Sequence, residues 1–343
     1  MDEYRPHRLS CPRCRCSTCA SLPPGVPTGA FGPRPRAILS VLAGAYRLGK
    51  RPIPQLAFDL FGLAIPTGMI RRLERQGAAE WEAPVEDLRG HVRQADSGHI
   101  DETSWKQGGA KMWLWVAVTK LVTVFTSAPT RGAEVAKAML GTAAAKVVIS
   151  DRPKSSNWIK RRQSCWAHLR RDSQAMIDRG GEAGEVGRRL LAHSDALFEW
   201  WHRVRDGTLA RSSFQTYVAT MRPFLKEDLE RGAACGRTKT AGTCREVLSG
   251  ETHLGTFVRV EGIEPTNNDA ERALRHGVIY RKLSGGTASE PGSRFVERML
   301  SVVATCRQQD LNVLEYLTRC YQAHLDGQPA PSLLPAESST QAA

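Results

Sequence analysis

The chain has 343 residues, 41% of them apolar, enough to bury a core in one large domain with a smaller module or in two domains of ordinary size. It carries a net charge of +13 and a sequence pI of about 9.6. Arginine supplies most of that excess, and its planar fork pairs with phosphate oxygens, so the balance fits nucleic acid as well as it fits a merely soluble basic protein. No apolar run is long enough to span a bilayer, and Met1-Asp2-Glu3-Tyr4-Arg5 lacks the apolar stretch of a signal peptide. The expectation is a cytoplasmic chain without a membrane partner, its nine cysteines reduced.

The first feature is Cys11-Pro12-Arg13-Cys14-Arg15-Cys16, then Cys19. Cys-x-x-Cys brings two sulfurs to one metal, which makes Cys11 and Cys14 candidate Zn²⁺ ligands. The single residue between Cys14 and Cys16 leaves little room for a second knuckle, and unpaired thiols in a flexible arm are the competing reading. Residues 21–35 are rich in Pro and Gly and read as a linker, closing a Cys-rich arm over 1–35. A helical module is predicted over 36–95. Ile38, Leu39, Val41, Leu42 and Tyr46 fit one helix face; Pro54 opens a second helix that Gly62 ends. Pro66-Thr67 opens a third, with Met69, Ile70 and Leu73 inward and Arg71, Arg72 and Arg75 outward. This outlines a helix-turn-helix with DNA-binding arginines, and equally a helical hairpin with a solvated basic face.

Residues 97–151 change character. Met112 to Val118 is apolar on both faces, as in a buried central strand, and Leu121 to Phe125 is its hairpin partner. Residues 132–140 read as a helix, and Lys146-Val147-Val148-Ile149-Ser150-Asp151 as a buried strand ending in a carboxylate. The order of strands, helix and strand predicts an α/β mixed sheet. From Leu169 to about Lys239 the pattern is helical and charged, with a further helix near 241–249. A last helical stretch follows Pro265 and runs to about Leu325. The tail, 326–343, is rich in Pro, Ser, Ala and Gln and is expected to be disordered.

Three carboxylates stand out by context. Asp101 lies in His99-Ile100-Asp101-Glu102-Thr103, entering the sheet. Asp151 sits at the C-terminal end of a buried strand, the edge where sites form in open α/β sheets. Glu271 lies on a helix beginning at Asn267-Asn268, with Thr266 or Asn267 as its cap. Two Asp at strand ends and a Glu on a helix can converge on a pair of Mg²⁺ ions, which prefer hard oxygen ligands. Context alone does not separate them from surface acids, since the chain has 35 Asp and Glu to choose from.

The segment Pro265-Thr266-Asn267-Asn268-Asp269-Ala270-Glu271-Arg272-Ala273-Leu274-Arg275 closely resembles the signature of transposases of the insertion-sequence-66 family. The resemblance continues through Arg281-Lys282, Gly285-Gly286, Ser289, Gly292 and Arg294-Phe295. Asp101-Glu102-Thr103-Ser104-Trp105 is similar to the family's first acidic motif and Ser150-Asp151-Arg152 to its second, and Cys165-Trp166-Ala167-His168-Leu169-Arg170-Arg171 resembles the block that follows. Nearly the whole chain is covered, in the right order. The chain departs from the family pattern at Gly255, where Trp is usual, at His276-Gly277 and at Pro153. Its N-terminus is short, which leaves open a truncated copy.

The resemblance implies a ribonuclease-H-like catalytic core over 96–325, its acid triad split by a helical insertion at about 170–255. It carries the family's three acids onto Asp101, Asp151 and Glu271, with two Mg²⁺ ions (Mn²⁺ substituting) as cofactors. The implied activity is a DDE transposase that cleaves insertion-sequence ends at terminal inverted repeats and joins the 3′-hydroxyl to target DNA. It would act as a homo-oligomer at the nucleoid, with accessory proteins of the same element. Arg272, Arg275 and Arg281 would hold phosphates beside Glu271. The rivals are an inactive copy that only binds DNA and a ribonuclease-H-like nuclease. Of the neighbouring residues, His168 reads as a packed histidine beside the sheet more readily than as one near the metals. Cys165 reads as a small buried residue, and Glu102 as salt-bridged on the opposite strand face.

Overall fold

A computed structural model describes residues 4–24, 26, 31–151 and 158–335. Arg152 of the second acidic motif and Pro153 lie outside the described residues, as do 336–343.

The arm is not structureless. Strands β1 (Arg8–Ser10) and β2 (Ser17–Cys19) form an antiparallel hairpin. Its turn is closed by bonds from the Cys11 N–H to the Cys16 carbonyl (2.8 Å) and from the Arg15 N–H to the Cys11 carbonyl (2.9 Å). Four helices follow: α1 (Pro33–Gly44), α2 (Pro52–Phe61), α3 (Thr67–Glu80) and α4 (Glu82–Gln94). Gly62 stops α2 in the left-handed conformation, as its position predicts. Arg71, Arg72 and Arg75 are exposed on α3, and Ile70 and Leu73 are buried. The four helices share one buried cluster with the C-terminal helices α12 (Glu290–Gln308) and α13 (Val313–Leu325). At its centre Trp81 is fully buried, its ring 5.9 Å from Phe295 and 6.1 Å from Tyr321.

The sheet has five strands: β3 (Ser97–Gln107), β4 (Ala110–Val118), β5 (Thr123–Ala128), β6 (Val147–Ser150) and β7 (Arg161–Ser164), in the spatial order β5-β4-β3-β6-β7. The first three are antiparallel, and β6 and β7 run parallel to β3. Helix α5 (Ala133–Leu140) makes the crossover to β6. The order expected from sequence holds through β6, but β7 was not foreseen. Its residues, Arg161-Arg162-Gln163-Ser164, carry no apolar run, yet Gln163 is fully buried. The Gln163 amide makes it buriable: Oε1 accepts from the Phe257 N–H at 2.8 Å, and Nε2 donates to the carbonyls of Ser164 (2.7 Å) and Leu254 (3.2 Å).

After β7 the chain runs through α6 (Trp166–Arg179), α7 (Gly181–Arg205), α8 (Arg211–Ala234), α9 (Thr238–Ser249) and α10 (Thr256–Arg259), which close a second hydrophobic cluster around Leu190, Leu197, Phe214 and Phe257. Gly255 lines a cavity of about 390 Å³ in this region, with Trp166, Met221 and Val258. Helix α11 (Asn268–Ser284) then returns to the sheet. It ends in Gly285-Gly286, where Gly286 has φ +113° and a Cβ would come within 2.3 Å of the Lys106 carbonyl oxygen, so only glycine fits. Thr287 then bonds to Lys106 through its N–H (2.9 Å) and accepts from the Gly108 N–H (2.8 Å), tying the turn to β3.

The tail corrects the sequence reading in part. Leu333 is 2% exposed and Tyr316 Oη donates to the Pro331 carbonyl at 2.8 Å, so residues up to 335 include a packed segment. Leu333-Leu334 between prolines supplies the apolar anchor that the composition concealed. No helix of the described residues is long and apolar enough to cross a membrane.

Candidate active site

The site is built where the β3–β6 ladder ends; β6 stops at Ser150 but β3 runs on to Gln107, so Asp101 lies within its strand and not at the strand end expected for it. Their parallel ladder pairs His99 with Ile149. Two residues further on each strand stand Asp101 and Asp151, on the same side of the pleat and on chains roughly 4.8 Å apart. Val147, Val148 and Ile149 bury β6 and fix this register, because a one-residue slip would turn its side chains over.

Two helix N-termini meet at this end of the sheet. Cys165 is the N-cap of α6, which places His168 in its first turn, and Asn267 is the N-cap of α11, which places Glu271 in its first turn. Their entries are clamped together: the Trp166 N–H bonds to the Pro265 carbonyl at 3.0 Å, and the Asn267 N–H bonds to Cys165 Sγ at 3.2 Å. Asn267 is fully buried, and its side chain does not cap α11 as expected. Its Nδ2 donates to the Ile100 carbonyl at 3.0 Å, and its Oδ1 lies 3.2 Å from His99 Nδ1. One side chain thus joins the strand of Asp101 to the helix of Glu271, and the main-chain carbonyl of Asn267 accepts the Glu271 N–H at 3.1 Å.

The electrostatics show the three acids acting on one another. Burial pushes Asp101 up to about 7, and the like charges of Asp151, Glu102 and Glu271 push the same way, against a 2.8 Å bond from the Glu102 N–H. Burial also raises Glu102, which Arg131 partly offsets through an ion pair, the salt-bridged role expected for it. An acid raised mainly by burial, with like charges adding to the rise, has the electrostatics of a candidate functional site.

His168 is the main correction to the site. It does not pack beside the sheet; it stands between two of the carboxylates, with Nε2 3.7 Å from Asp151 Oδ2 and Nδ1 3.6 Å from Glu271 Oε1. Arg171, one turn on, brings Nη2 to 3.0 Å from Glu271 Oε1 and to 2.9 Å from His168 Nε2. Among the described residues, Cys165, His168 and Glu271 offer ligand atoms that all lie within 4.8 Å of one another. Cys165 is buried as expected; burial raises its thiol, so it stays protonated and is a poor ligand. The remaining donors, carboxylate oxygens and an imidazole, suit Mg²⁺ or Mn²⁺. A cation already stands against Glu271 in the form of the Arg171 guanidinium, and like charges crowd Asp101. Asp101 and Asp151 lie outside the grouping of Cys165, His168 and Glu271.

Other predicted residues fall elsewhere. Arg272 is exposed and pairs with Asp269, and Arg275 is exposed on α11. Arg281 is not free on the surface: its Nη1 donates to Ser104 Oγ at 2.8 Å, which ties α11 to β3. Arg71 and Arg75 line a groove of about 1040 Å³ with Arg47, Lys50 and the 284–292 turn, a lining that includes none of the three acids. The thiols of Cys11, Cys14, Cys16 and Cys19 are exposed on the hairpin. Hydrogen bonds from the Cys16 backbone and from the Cys11 and Cys16 thiols hold Cys14 below the usual thiol range. They do not form a grouping of three ligands as close as that around His168.

Sequence reasoning missed His168, Arg171 and Asn267. All three depend on where β7 ends, and β7 carries no apolar signal. With that strand in place, Cys165 to Arg171 begins at the same sheet edge as Asp151.

The fold is α/β, built on a five-stranded mixed sheet. A model of the transposase IS66 family matches residues 53–294, and the chain belongs to that family. The matched span contains all three acids and His168. The chain is also 28% identical over 178 residues to the uncharacterized protein y4qI of Sinorhizobium fredii, covering 49% of this chain and 32% of that protein. It thus spans about a third of the length of that relative.

Proposed function

We propose that the chain is a DDE transposase, a polynucleotidyl transferase on a ribonuclease-H-like core, with Asp101, Asp151 and Glu271 as its catalytic carboxylates. What supports this is that the charges of Asp151 and Glu271 both add to the rise of Asp101, and that His168 lies 3.7 Å from Asp151 and 3.6 Å from Glu271. The strand order, third-second-first-fourth-fifth with the first three antiparallel, supports the ribonuclease-H-like reading. Its substrates are the terminal inverted repeats of an insertion sequence and, for the freed 3′-hydroxyl, target DNA.

The three carboxylates would hold two Mg²⁺ or Mn²⁺ ions, which would supply activation of the attacking oxygen and neutralisation of the leaving one. The protein's own part is placement. Asp101, whose protonated form burial favours, would be ionised by positive charge placed beside it. Glu271, on the first turn of a rigid helix, keeps its carboxylate in register with the strand acids. Arg171 is positioned to take a phosphate oxygen when it leaves Glu271, and Arg71, Arg72, Arg75, Arg272 and Arg275 hold the backbone of the flanking DNA. Both cutting and joining are in-line displacements at phosphorus, so one site serves both. Work at paired element ends implies a homo-oligomer and accessory proteins of the same element.

The test uses labelled element ends, Mg²⁺ and those accessory proteins. Asp101→Asn, Asp151→Asn and Glu271→Gln should each abolish cleavage while DNA binding remains, and excess chelator should do the same to the native protein. Glu102→Gln and Asp269→Asn should keep far more activity. Binding without any cutting would make this copy a DNA-binding protein only, and cutting without joining would make it a nuclease.

A further inference from the structure

We propose that Asn267 and Cys165 are positioning residues: together they form a buried hydrogen-bonded tie that sets the chain segments carrying Asp101, Asp151 and Glu271 relative to one another. The inference rests on the catalytic reading above and adds two residues that act through the acids.

The sheet alone does not place the acids. The β3–β6 ladder stops at His99 and Ile149, so it pairs neither Asp101 nor Asp151, and Glu271 stands on a helix. Asn267 and Cys165 continue where the ladder stops. Asn267 Nδ2 donates to the carbonyl of Ile100, the residue before Asp101, at 3.0 Å. The Asn267 N–H donates to Cys165 Sγ at 3.2 Å, and the Cys165 N–H donates to the carbonyl of Ser150, the residue before Asp151, at 3.1 Å. The main-chain carbonyl of Asn267 accepts the N–H of Glu271 itself, also at 3.1 Å. The tie therefore reaches the main chain at or next to each of the three acids.

Burial makes the tie stiff. Asn267 is fully buried and Cys165 is 1% exposed, so water cannot replace a bond that opens. The Ile100 carbonyl can only accept, which fixes the Asn267 amide with Nδ2 towards it and leaves Oδ1 at 3.2 Å from His99 Nδ1. Both ends of the amide are thus held on β3, and it cannot turn without breaking two bonds. Reacting groups misplaced by about 1 Å can cost about 100-fold in rate, so a tie of this kind acts on turnover as well as on folding.

The test is cleavage of labelled element ends by the full chain with Mg²⁺ and accessory proteins, run beside Mg²⁺ calorimetry and thermal melts. Asn267→Leu and Asn267→Ala both lose the side-chain bonds without adding charge. Each should lower kcat about 100-fold and Mg²⁺ affinity at least about tenfold, with the KM for DNA within about threefold of native. Thr305→Val, which removes an acceptor at the β5 edge, should lower the melting temperature and leave kcat and Mg²⁺ affinity native. Cys165→Ala should lower kcat about tenfold, and Cys165→Ser, which keeps an acceptor for the Asn267 N–H, should restore most of it. The Cys165 pair decides the matter if neither Asn267 variant folds. Asn267 variants that melt lower but keep native kcat and Mg²⁺ affinity would overturn the proposal, as would equal rates in the two Cys165 variants. A matching loss of kcat in Thr305→Val would overturn it too, by tracing the effect to stability alone. Full cleavage by Asp101→Asn and Asp151→Asn would overturn the catalytic reading, and the positioning role with it.

Discussion

The two edges of the sheet are sealed by the same device, but they serve different ends. At the β5 edge the outward N–H groups of Thr123, Phe125 and Ser127 are met by α12. Thr305 Oγ1 accepts from Thr123 at 3.1 Å, Ser301 Oγ accepts from Phe125 at 2.8 Å, and the Glu297 carboxylate accepts from Ser127. Four helical residues rise about 6 Å and two strand residues about 6.7 Å, so the acceptors keep step with the donors. This closes an edge that would otherwise invite another strand. At the β7 edge Thr256 Oγ1 donates to the Arg162 carbonyl at 2.6 Å, and the Gln163 amide joins β7 to residues 254 and 257. The first seal is scaffold alone. The second also sets the start of α6, and with it His168 and Arg171. An edge finished with polar side chains can therefore be stability at one end of a sheet and site geometry at the other.

The sharpest way to break this comparison is to unseal β7. Gln163→Leu keeps the size but strands the Phe257 N–H and two carbonyls in a buried place, at about 1–3 kcal/mol for each group. The expected outcome is a melting temperature lowered by several degrees together with weaker Mn²⁺ binding, because α6 loses its footing. Loss of stability with unchanged metal affinity would mean that β7 is scaffold after all.

Unsealing β5 should do less, and only to stability. Thr305→Val and Ser301→Ala each leave one edge N–H without its acceptor, at about 1–3 kcal/mol. Thermal or urea melts should register that loss, while metal affinity stays native. A change in metal binding here would erase the distinction between the edges.

The carboxylates give a pH test of the same division. Asp101 is raised in the folded chain to about 7, well above the usual carboxylate range. The stability from keeping it protonated is complete below about pH 4 and is lost as pH rises through about 7, when a buried charge forms beside Asp151 and Glu271. Metal-free protein should therefore melt a few degrees lower at pH 8 than at pH 5.5, and Asp101→Asn should flatten that dependence. Saturating Mg²⁺ should flatten it as well. A metal-free melting temperature that is level across this range would contradict the crowded charge at Asp101.

These edges also show what the sequence discloses. The central strands were legible because burial on both faces leaves an unbroken apolar run, as in Trp113 to Val118 and Val147 to Ile149. From that reading Asp151 followed as a strand-end acid, whereas Asp101 lies within β3; only family resemblance singled the two out from the other carboxylates. β7 was illegible because its burial is satisfied by amide hydrogen bonds from residues some ninety positions away, which no local pattern records. His168 was misread for the same reason, since a histidine after an unseen strand has no visible neighbours. Asn267 was expected to cap its own helix, but it spends its side chain on His99 and Ile100 instead.

The smallest effect concerns DNA, and it separates the two basic regions beside the edges. Arg71 and Arg75 are exposed on α3, a helix packed on the β5-edge helix α12, and they line a groove with Arg47 and Lys50. Arg281 has the same charge, but it is spent on Ser104 and has its Nε buried. If the groove holds the DNA backbone, each exposed arginine releases about one counterion on binding. Arg71→Ala and Arg75→Ala should then each lower the slope of log affinity against log salt by about one, with metal binding unchanged. Arg281→Ala should leave the slope as it is and lower stability instead, because it removes an anchor between α11 and β3. A salt slope that falls with Arg281 and not with Arg71 or Arg75 would move the DNA from the groove to the α11 surface, and would leave the β7 side holding both the substrate and the chemistry.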